Sequence, residues 1–327
     1  MKILGIGNAL IDVLAKLQDD ALLSELNMPK GSMNLIDVHM RNHIFGKIKD
    51  MEVKITTGGS IGNTCLALAN LGATVGFTGK VGDDGYGNYY VQEFENAGVN
   101  PHFIHVQGSP SGTAMDLITP DGQRTFGTYL GIAAELKKSE LNEEIFKQYT
   151  HFYIEGYLVQ NHELIEGALS LAKNLGLTTA LDLASYNIVE AEREFLQRLI
   201  DHYVDIVFAN EDEAKALTGK SAKEAVEELG DKVQIVVVKT GGKGSWISAN
   251  GETICVPVEE ISPIDTTAAG DYYSAGFFYG LQQEKSLRQC AELGSLLAYE
   301  VIQVVGTKLP PPTWERIRTK VQEIIAG

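Results

Sequence analysis

The sequence predicts an α/β protein: a mainly parallel sheet covered by helices on both faces, with a smaller β-rich unit beside it. Two observations carry this. From about residue 150 onward, short apolar segments (HFYIEGYL, LTTALDL, DIVFAN, VQIVVVKT) alternate with helix-period segments. Apolar runs that do not alternate with polar residues mark strands buried on both faces, the signature of parallel sheets. Residues 101–129 break that rhythm with FIHVQ, TAMDLIT and QRTFGTY around Pro120-Asp121-Gly122, which reads as short strands and a hairpin turn.

Taken in order, residues 3–11 (ILGIGNALI) are a short apolar run expected to form one buried strand. Residues 13–55 are mixed, with KGSMNLID at 30–37 read as turn then strand. A helix is expected over 61–71, capped by Ser60, with Ile61, Cys65, Leu68 and Leu71 on one face and Gly72 as its stop. VGFTGKVG at 75–82 is a strand, and a helix over 84–97 ends at Gly98. Asn250-Gly251 marks a hairpin, and helices are expected at 269–283, 286–304 and 312–325. The chain therefore reads as one α/β domain over 1–327, its small β-rich unit assembled from about 13–55 and 101–130.

Composition narrows the function. The chain has 327 residues, 27 Lys plus Arg against 43 Asp plus Glu, and a net charge of −16. Such a surface repels phosphodiester backbones and anionic lipid, so neither nucleic acid nor membrane is an expected partner. Cysteines at 65, 255 and 290 are too far apart in sequence for a CxxC pair, which excludes a cysteine-rich zinc site and suits a reducing, cytoplasmic setting. The start, MKILGIGNALIDVLAK, reads as a first strand rather than a signal peptide, because Asp12 interrupts it. His39 and His43, the closest histidine pair, read as a solvated helix face.

Three segments point to chemistry. Asp265-Thr266-Thr267-Ala268-Ala269-Gly270-Asp271 runs directly into a helix, whose first N–H groups favour an anion. An acid at that spot is either a helix-dipole contact or a base beside a phosphoryl nest. Gly58-Gly59-Ser60-Ile61-Gly62-Asn63 lets a ligand approach the backbone closely, and Asn63 offers a donor and an acceptor to a hydroxylated molecule. Lys239-Thr240-Gly241-Gly242-Lys243-Gly244 is a glycine turn after a strand, without Walker A spacing.

Two of these resemble the paired signatures of the PfkB/ribokinase family of carbohydrate and nucleoside kinases. GGSIGNTCLALANLGATVGFTGKVGDDGYG is similar to the N-terminal signature and DTTAAGDYYSAGF to the C-terminal one, and the likeness spans essentially the whole chain. The resemblance implies a ribokinase-like three-layer fold with a small β-sheet lid, and transfer of the γ-phosphoryl group of ATP to a primary hydroxyl. Asp271 would be the base, with Ala268, Ala269 and Gly270 as the anion hole. Asn210 and Glu213, matching NxxE, would organise Mg²⁺ and phosphates, Glu213 acting on Mg²⁺ through water. Thr240, Gly242 and Gly244 would contact the nucleotide. Asn8, Asp12, Gly58, Gly59, Asn63 and Glu155 would bind the acceptor; Glu155 reads alternatively as a buried acid satisfied by backbone. Asp265, Thr267, Val301, Val304 and Gly306 resemble a K⁺ loop, and the lid implies a homodimer in some members.

The acceptor expected from Glu155 and DTTAAGD is a sugar, ribokinase- or fructokinase-like. GNALID and YLGIAAEL resemble the adenosine-kinase-like branch instead, with Phe126, Tyr129 and Tyr157 available for stacking. A non-catalytic nucleotide-binding regulator is a further reading, disfavoured because a pure binder needs no base at Asp271. A dinucleotide oxidoreductase, from Gly5-Ile6-Gly7, lacks the third glycine of its fingerprint.

Overall fold

A computed structural model describes residues Met1–Gly327. Fourteen strands form two sheets: β1 (Lys2–Ile6), β2 (Leu10–Lys16), β3 (Met33–Leu35), β4 (Val53–Gly58), β5 (Thr74–Gly82), β6 (Asn100–Val106), β7 (Gly112–Ile118), β8 (Arg124–Tyr129), β9 (His151–Glu155), β10 (Thr178–Asp182), β11 (Ile206–Asn210), β12 (Ile235–Lys239), β13 (Ser245–Ala249) and β14 (Glu252–Val256). The large sheet runs β14-β13-β12-β11-β10-β9-β1-β5-β6 and the small one β3-β8-β7-β2-β4. From β12 to β6 every neighbouring pair in the large sheet is parallel. The antiparallel β12-β13-β14 edge turns at Asn250-Gly251, where both residues have positive φ, as a tight hairpin requires.

The parallel strands are buried on both faces, as their composition requires. Successive residues enter different cores: Val236 and Val238 pack with helices 162–174, 193–203 and 222–230, whereas Val237 packs with helices 60–70, 269–282 and 287–301. The result is three layers. Helix 269–282 is covered on every side through residues 272–280, consistent with its nearly uninterrupted apolar and small residues. No helix is long and apolar enough to cross a membrane.

Two segments differ from the reading of the sequence. The apolar run 3–11 is two strands, not one. Gly7-Asn8-Ala9 carries the chain out of the large sheet, and β2 then pairs with β4 and β7 in the small sheet. An unbroken apolar run shows no such division, because both halves are buried. Likewise, residues 100–106 form the parallel edge strand beside β5 rather than part of the small sheet. The small sheet draws instead on 10–16, 33–35, 53–58, 112–118 and 124–129. The hairpin at Pro120-Asp121-Gly122 joins antiparallel β7 and β8 as expected.

Strand order fixes where a ligand can bind. From β1 the chain places β5 and β6 on one side and β9 to β12 on the other. Open α/β sheets bind ligands outside the carboxyl ends of their strands, near such a reversal. Glu155, Asp182, Asn210 and Lys239 are the last residues of β9, β10, β11 and β12, so they stand in a row along that rim.

Helix 269–282 reaches its position by close backbone contact with helix 287–301. A Cβ on Gly276 would lie 2.3 Å from the Leu293 carbonyl oxygen. Gly276→Ala therefore forces the helices apart, and we expect a loss of about 1–3 kcal/mol, seen as a lower midpoint of chemical denaturation. An unchanged midpoint would show that this contact is not tight.

Candidate active site

Asp271 lies in the first turn of helix 269–282, facing the start of helix 60–70. Ser60 Oγ donates to Asp271 Oδ1 at 2.7 Å and Asn63 Nδ2 donates to Oδ2 at 2.8 Å. Thr64 Oγ1 donates to the Asp271 carbonyl oxygen at 3.0 Å, which fixes the helix end as well as the side chain. Loss of water in this cleft pushes the carboxyl up to about 6; the donors from Asn63 and Ser60 oppose that, nearby Asp182 adds to it and Lys239 opposes it. Ser60, expected to cap helix 60–70, makes no cap hydrogen bond; Gly59 is the capping residue and frees the hydroxyl for Asp271. Gly59 has φ +86°, and a Cβ there would lie 2.3 Å from the Asn8 carbonyl oxygen, so glycine is required.

The segment before Asp271 is a built turn. Ala268 has φ +62° and caps the helix. The Ala269 N–H donates to the Thr266 carbonyl oxygen at 3.2 Å, whereas the N–H groups of Ala268 and Gly270 have no acceptor in the protein. The anion-binding donors of this turn are thus at 268 and 270, with Ala269 spent on holding it together. All three residues, with Asp271, border a cavity of about 1120 Å³ that extends past Asn210, Glu213, Gly241, Gly242 and Gly244.

Asn210 and Glu213 form a reciprocal cap on helix 211–218. Asn210 Oδ1 accepts from the Glu213 N–H, and the Glu213 carboxylate accepts from the Asn210 N–H and Nδ2. This is the helix-start role the residues would have without any ligand, yet both border the cavity. Burial pushes the Glu213 carboxyl up, and neighbouring Asp182 pushes it further. In the glycine turn, Thr240 is turned inward: its N–H and hydroxyl both donate to the Gly244 carbonyl oxygen, so Gly241, Gly242 and Gly244 form the cavity wall.

The remaining residues from the sequence cluster where the two sheets meet. Asp12 sits in mid-strand in β2, beside Gly58, where any Cβ would strike its carboxylate at 2.2 Å. Burial pushes its carboxyl up to about 7, against the pull of Arg124. Glu155 is 1% exposed and accepts from the Asn8 N–H and Nδ2 at 2.9 Å each, and from the Ile61 N–H at 3.3 Å. It braces the β1–β9 boundary internally, and burial raises it to about 7. Asn8 Oδ1 is buried without a partner. Asp265 accepts from the N–H groups of Thr267 and Gly306, tying loop 265–267 to the loop after Val301. Val301 is buried at the end of helix 287–301, and its carbonyl oxygen accepts from the Val304 N–H.

Two contributors, Asp182 and Arg124, have no place among the motifs of the sequence, and Lys239 stands there only as the first residue of the glycine turn. Asp182 and Lys239 form an ion pair at 3.1 Å on the cavity wall; an isolated acid ending the apolar run LTTALD was the available signal. Arg124, on the small sheet, bridges buried Asp116 of the same sheet to Asp265 and Thr267 of the large domain. Removing a buried guanidinium strands its partners. We expect Arg124→Leu to cost about 3–5 kcal/mol in denaturant titrations, and Asp116→Asn added to it to recover part of that loss. No recovery would mean that the pair contributes only through its shape.

The same architecture occurs in known proteins. The model of the "pfkB family carbohydrate kinase" matches residues 25–314. A solved structure of a probable sugar kinase from Rhizobium etli is 30% identical, covering 98% of both chains with a TM-score of 0.87. The structure of adenosine kinase from Sinorhizobium meliloti is 32% identical over 98% of this chain and 99% of its own, with a TM-score of 0.88. Ribokinase from Haemophilus influenzae is 28% identical over 80% of this chain and 85% of its own. With a ribokinase-like fold matched end to end and the family model spanning most of its length, this chain belongs to the pfkB family of carbohydrate kinases and is a phosphotransferase with an alcohol group as acceptor.

Proposed function

We propose that this protein phosphorylates the primary hydroxyl of a ribose-type substrate with ATP, and that Asp271 is the base. The observation that carries the reading is the placement of Asp271. It is a half-buried carboxylate held by two donors, next to the unpaired N–H groups of Ala268 and Gly270 at a helix N-terminus. One group takes the acceptor's proton while the others meet the charge on the moving phosphoryl group. The glycine turn at 241–244 and Asn210 receive the nucleotide, leaving the acceptor to Asp12, Asn63 and the Gly58-Gly59 backbone. Asn63 and Asp12 then act beside the base, and Glu155 acts by holding Asn8.

Asn210 and Glu213 on the cavity wall suit Mg²⁺ held through its waters, a hard cation that keeps its hydration shell. Glu213 and Asn210 would orient those waters. Bound Mg²⁺ supplies charge neutralisation of the phosphates. For K⁺, the side chains of Asp265 and Thr267 are already committed to Arg124, so a cation between the 265–267 and 301–306 loops would rest on carbonyl oxygens. Comparing rates in K⁺ and tetramethylammonium tests this, and an unchanged rate removes K⁺. The small sheet serves as a lid, latched by Arg124, that excludes water during transfer. Its exposed Met33, Leu35, Val53 and Ile55 suit a homodimer formed through the lid, which light scattering tests.

The sequence leans toward a free sugar; the cavities lean toward a ribonucleoside. Beside the large cavity lies a second of about 640 Å³, bordered by Asn8, Leu130, Ala134, Leu158, Gln160 and Asn161. Tyr157 borders both, its hydroxyl donating to the Ala184 carbonyl oxygen. A pentose alone has no use for this space, whereas an aromatic base would stack on Tyr157 and meet amide groups. Likeness to an adenosine kinase at 32% identity supports the same choice.

ADP release across ribose, fructose, 2-keto-3-deoxygluconate, adenosine, guanosine and inosine tests the acceptor. The expected result is a nucleoside with the highest kcat/KM; a free sugar in that place returns the assignment to a sugar kinase. The base is tested by pH. A raised carboxyl is ionised only above about 6, so kcat/KM rises with pH through that value. Ser60→Ala removes a donor to the carboxylate and moves this limb upward by roughly one unit. ATP titrates alike in both enzymes, so the difference belongs to Asp271. Asp271→Asn abolishes turnover and spares ATP binding; near-normal turnover would remove Asp271 as the base.

A further inference from the structure

We propose that Lys239 is a further catalytic residue: its ammonium contacts the γ-phosphoryl group of the bound nucleotide and holds it over Gly270 as it transfers. This rests on the kinase reading above and goes beyond it by assigning the cation that the reaction needs from the protein.

Lys239 ends β12, and its side chain is 14% exposed. Its Nζ lies 3.1 Å from Asp182 Oδ2, and 3.0 Å from where a Cβ on Gly270 would be. The ammonium therefore packs against the first turn of helix 269–282, beside the unpaired Gly270 N–H. A side chain at 270 would crowd the ammonium, which would have to give by a few tenths of an ångström. An ammonium carries three donors, and Lys239 gives one, to Asp182. The others remain in a cavity whose wall also carries Glu213 and Asp271.

Charge makes the case for a ligand. Six acidic residues border the cavity (Asp182, Glu213, Glu259, Glu260, Asp271 and Glu292), on a chain of net charge −16, so a polyphosphate entering there meets a repulsive wall. Of the lysines near the nucleotide turn, Lys243 is 79% exposed and pairs with Glu211 outside the cavity. Lys320, which borders the cavity, is bound to Glu300. Lys239 is the cation aimed at the anion-binding turn. Burial works against its charge, but Asp182, Glu213 and Asp271 outweigh burial and keep it protonated.

In the step, the acceptor oxygen forms a bond to the γ-phosphorus as its proton passes to Asp271. The bond from the γ-phosphorus to the β–γ bridging oxygen breaks, and its electron pair leaves with ADP. Lys239 donates hydrogen bonds to the transferring group throughout and gives up no proton. Asp182 holds the ammonium at the right depth and is a positioning residue.

The test compares Lys239→Met, Lys239→Arg, Asp182→Asn, and Lys239→Met combined with Asp182→Asn, which removes the stranded carboxylate. We expect Lys239→Met to lower kcat about 100-fold or more. Its affinity for a non-hydrolysable ATP analogue should fall about tenfold relative to ADP, because the contact is to the γ-group. Lys239→Arg should recover part of the rate. The double variant should regain thermal stability but not turnover. Turnover by the double variant within threefold of Asp182→Asn, or equal weakening of analogue and ADP, overturns the proposal. If Asp271→Asn stays active, the kinase reading itself fails; if that variant is dead and the double variant is not, only the role of Lys239 fails.

Discussion

A carboxylate must lose part of its water before it can serve as a base near neutral pH, yet it must stay ionised to do so. As the proposed base, Asp271 is held between those demands. Loss of water in its cleft pushes the carboxyl up to about 6, against the pull of Asn63 and Ser60. Both donors come from the first turn of helix 60–70, and the acid comes from the first turn of helix 269–282. The two helix ends must therefore meet closely and in fixed rotation. Much of the architecture serves that meeting: Gly59 lets the chain enter helix 60–70 past Asn8, Thr64 ties down the Asp271 carbonyl, and Gly276 seats helix 269–282 against its neighbour.

The electrostatics of the site follow from the same crowding. The rim of the sheet gathers Glu155, Asp182 and Glu213 near Asp271, and each carboxylate is answered locally: Glu155 by backbone N–H groups and Asn8, Glu213 by Asn210, Asp182 by Lys239. Such local pairing is how an acidic protein can handle an anionic substrate, with backbone dipoles and one buried ammonium opposing the net field. Arg124 extends the principle to the small sheet, neutralising Asp116 and Asp265 across the cleft.

How much of this was legible in the sequence depended on whether a feature is local. The α/β class, the hairpin at 120–122 and the helices at 60–70, 85–97 and 269–282 follow from periodicity and turn residues, and the structure has them within a residue or two. The division of 3–11 between two sheets was not legible, because a buried strand reads as apolar whichever sheet it joins. The edge strand 100–106 was misassigned because partners 20 or more residues away decide it. The site follows the same pattern. Motifs pointed to Asp271, the 268–270 turn, Asn210 and Glu213 as candidates, because each lies in a short segment whose residue types can be read together, and the structure brings them to one cavity. The pairs Ser60–Asp271, Lys239–Asp182 and Arg124–Asp265 join residues far apart in the chain, and no spacing rule shows them. Thr240 and Ala269 mark a subtler limit: a motif gives the residue but not which of its groups the turn has already used.

The central claim is that the fold holds Asp271 as a poised base. The most direct measurement is the carboxyl titration of the aspartates, labelled with ¹³C, in the wild type and in Asp271→Asn. The account predicts one carboxyl resonance, missing from the variant, that titrates at about 6. A missing resonance that titrates instead near 4, the ordinary range for an aspartate, would contradict it.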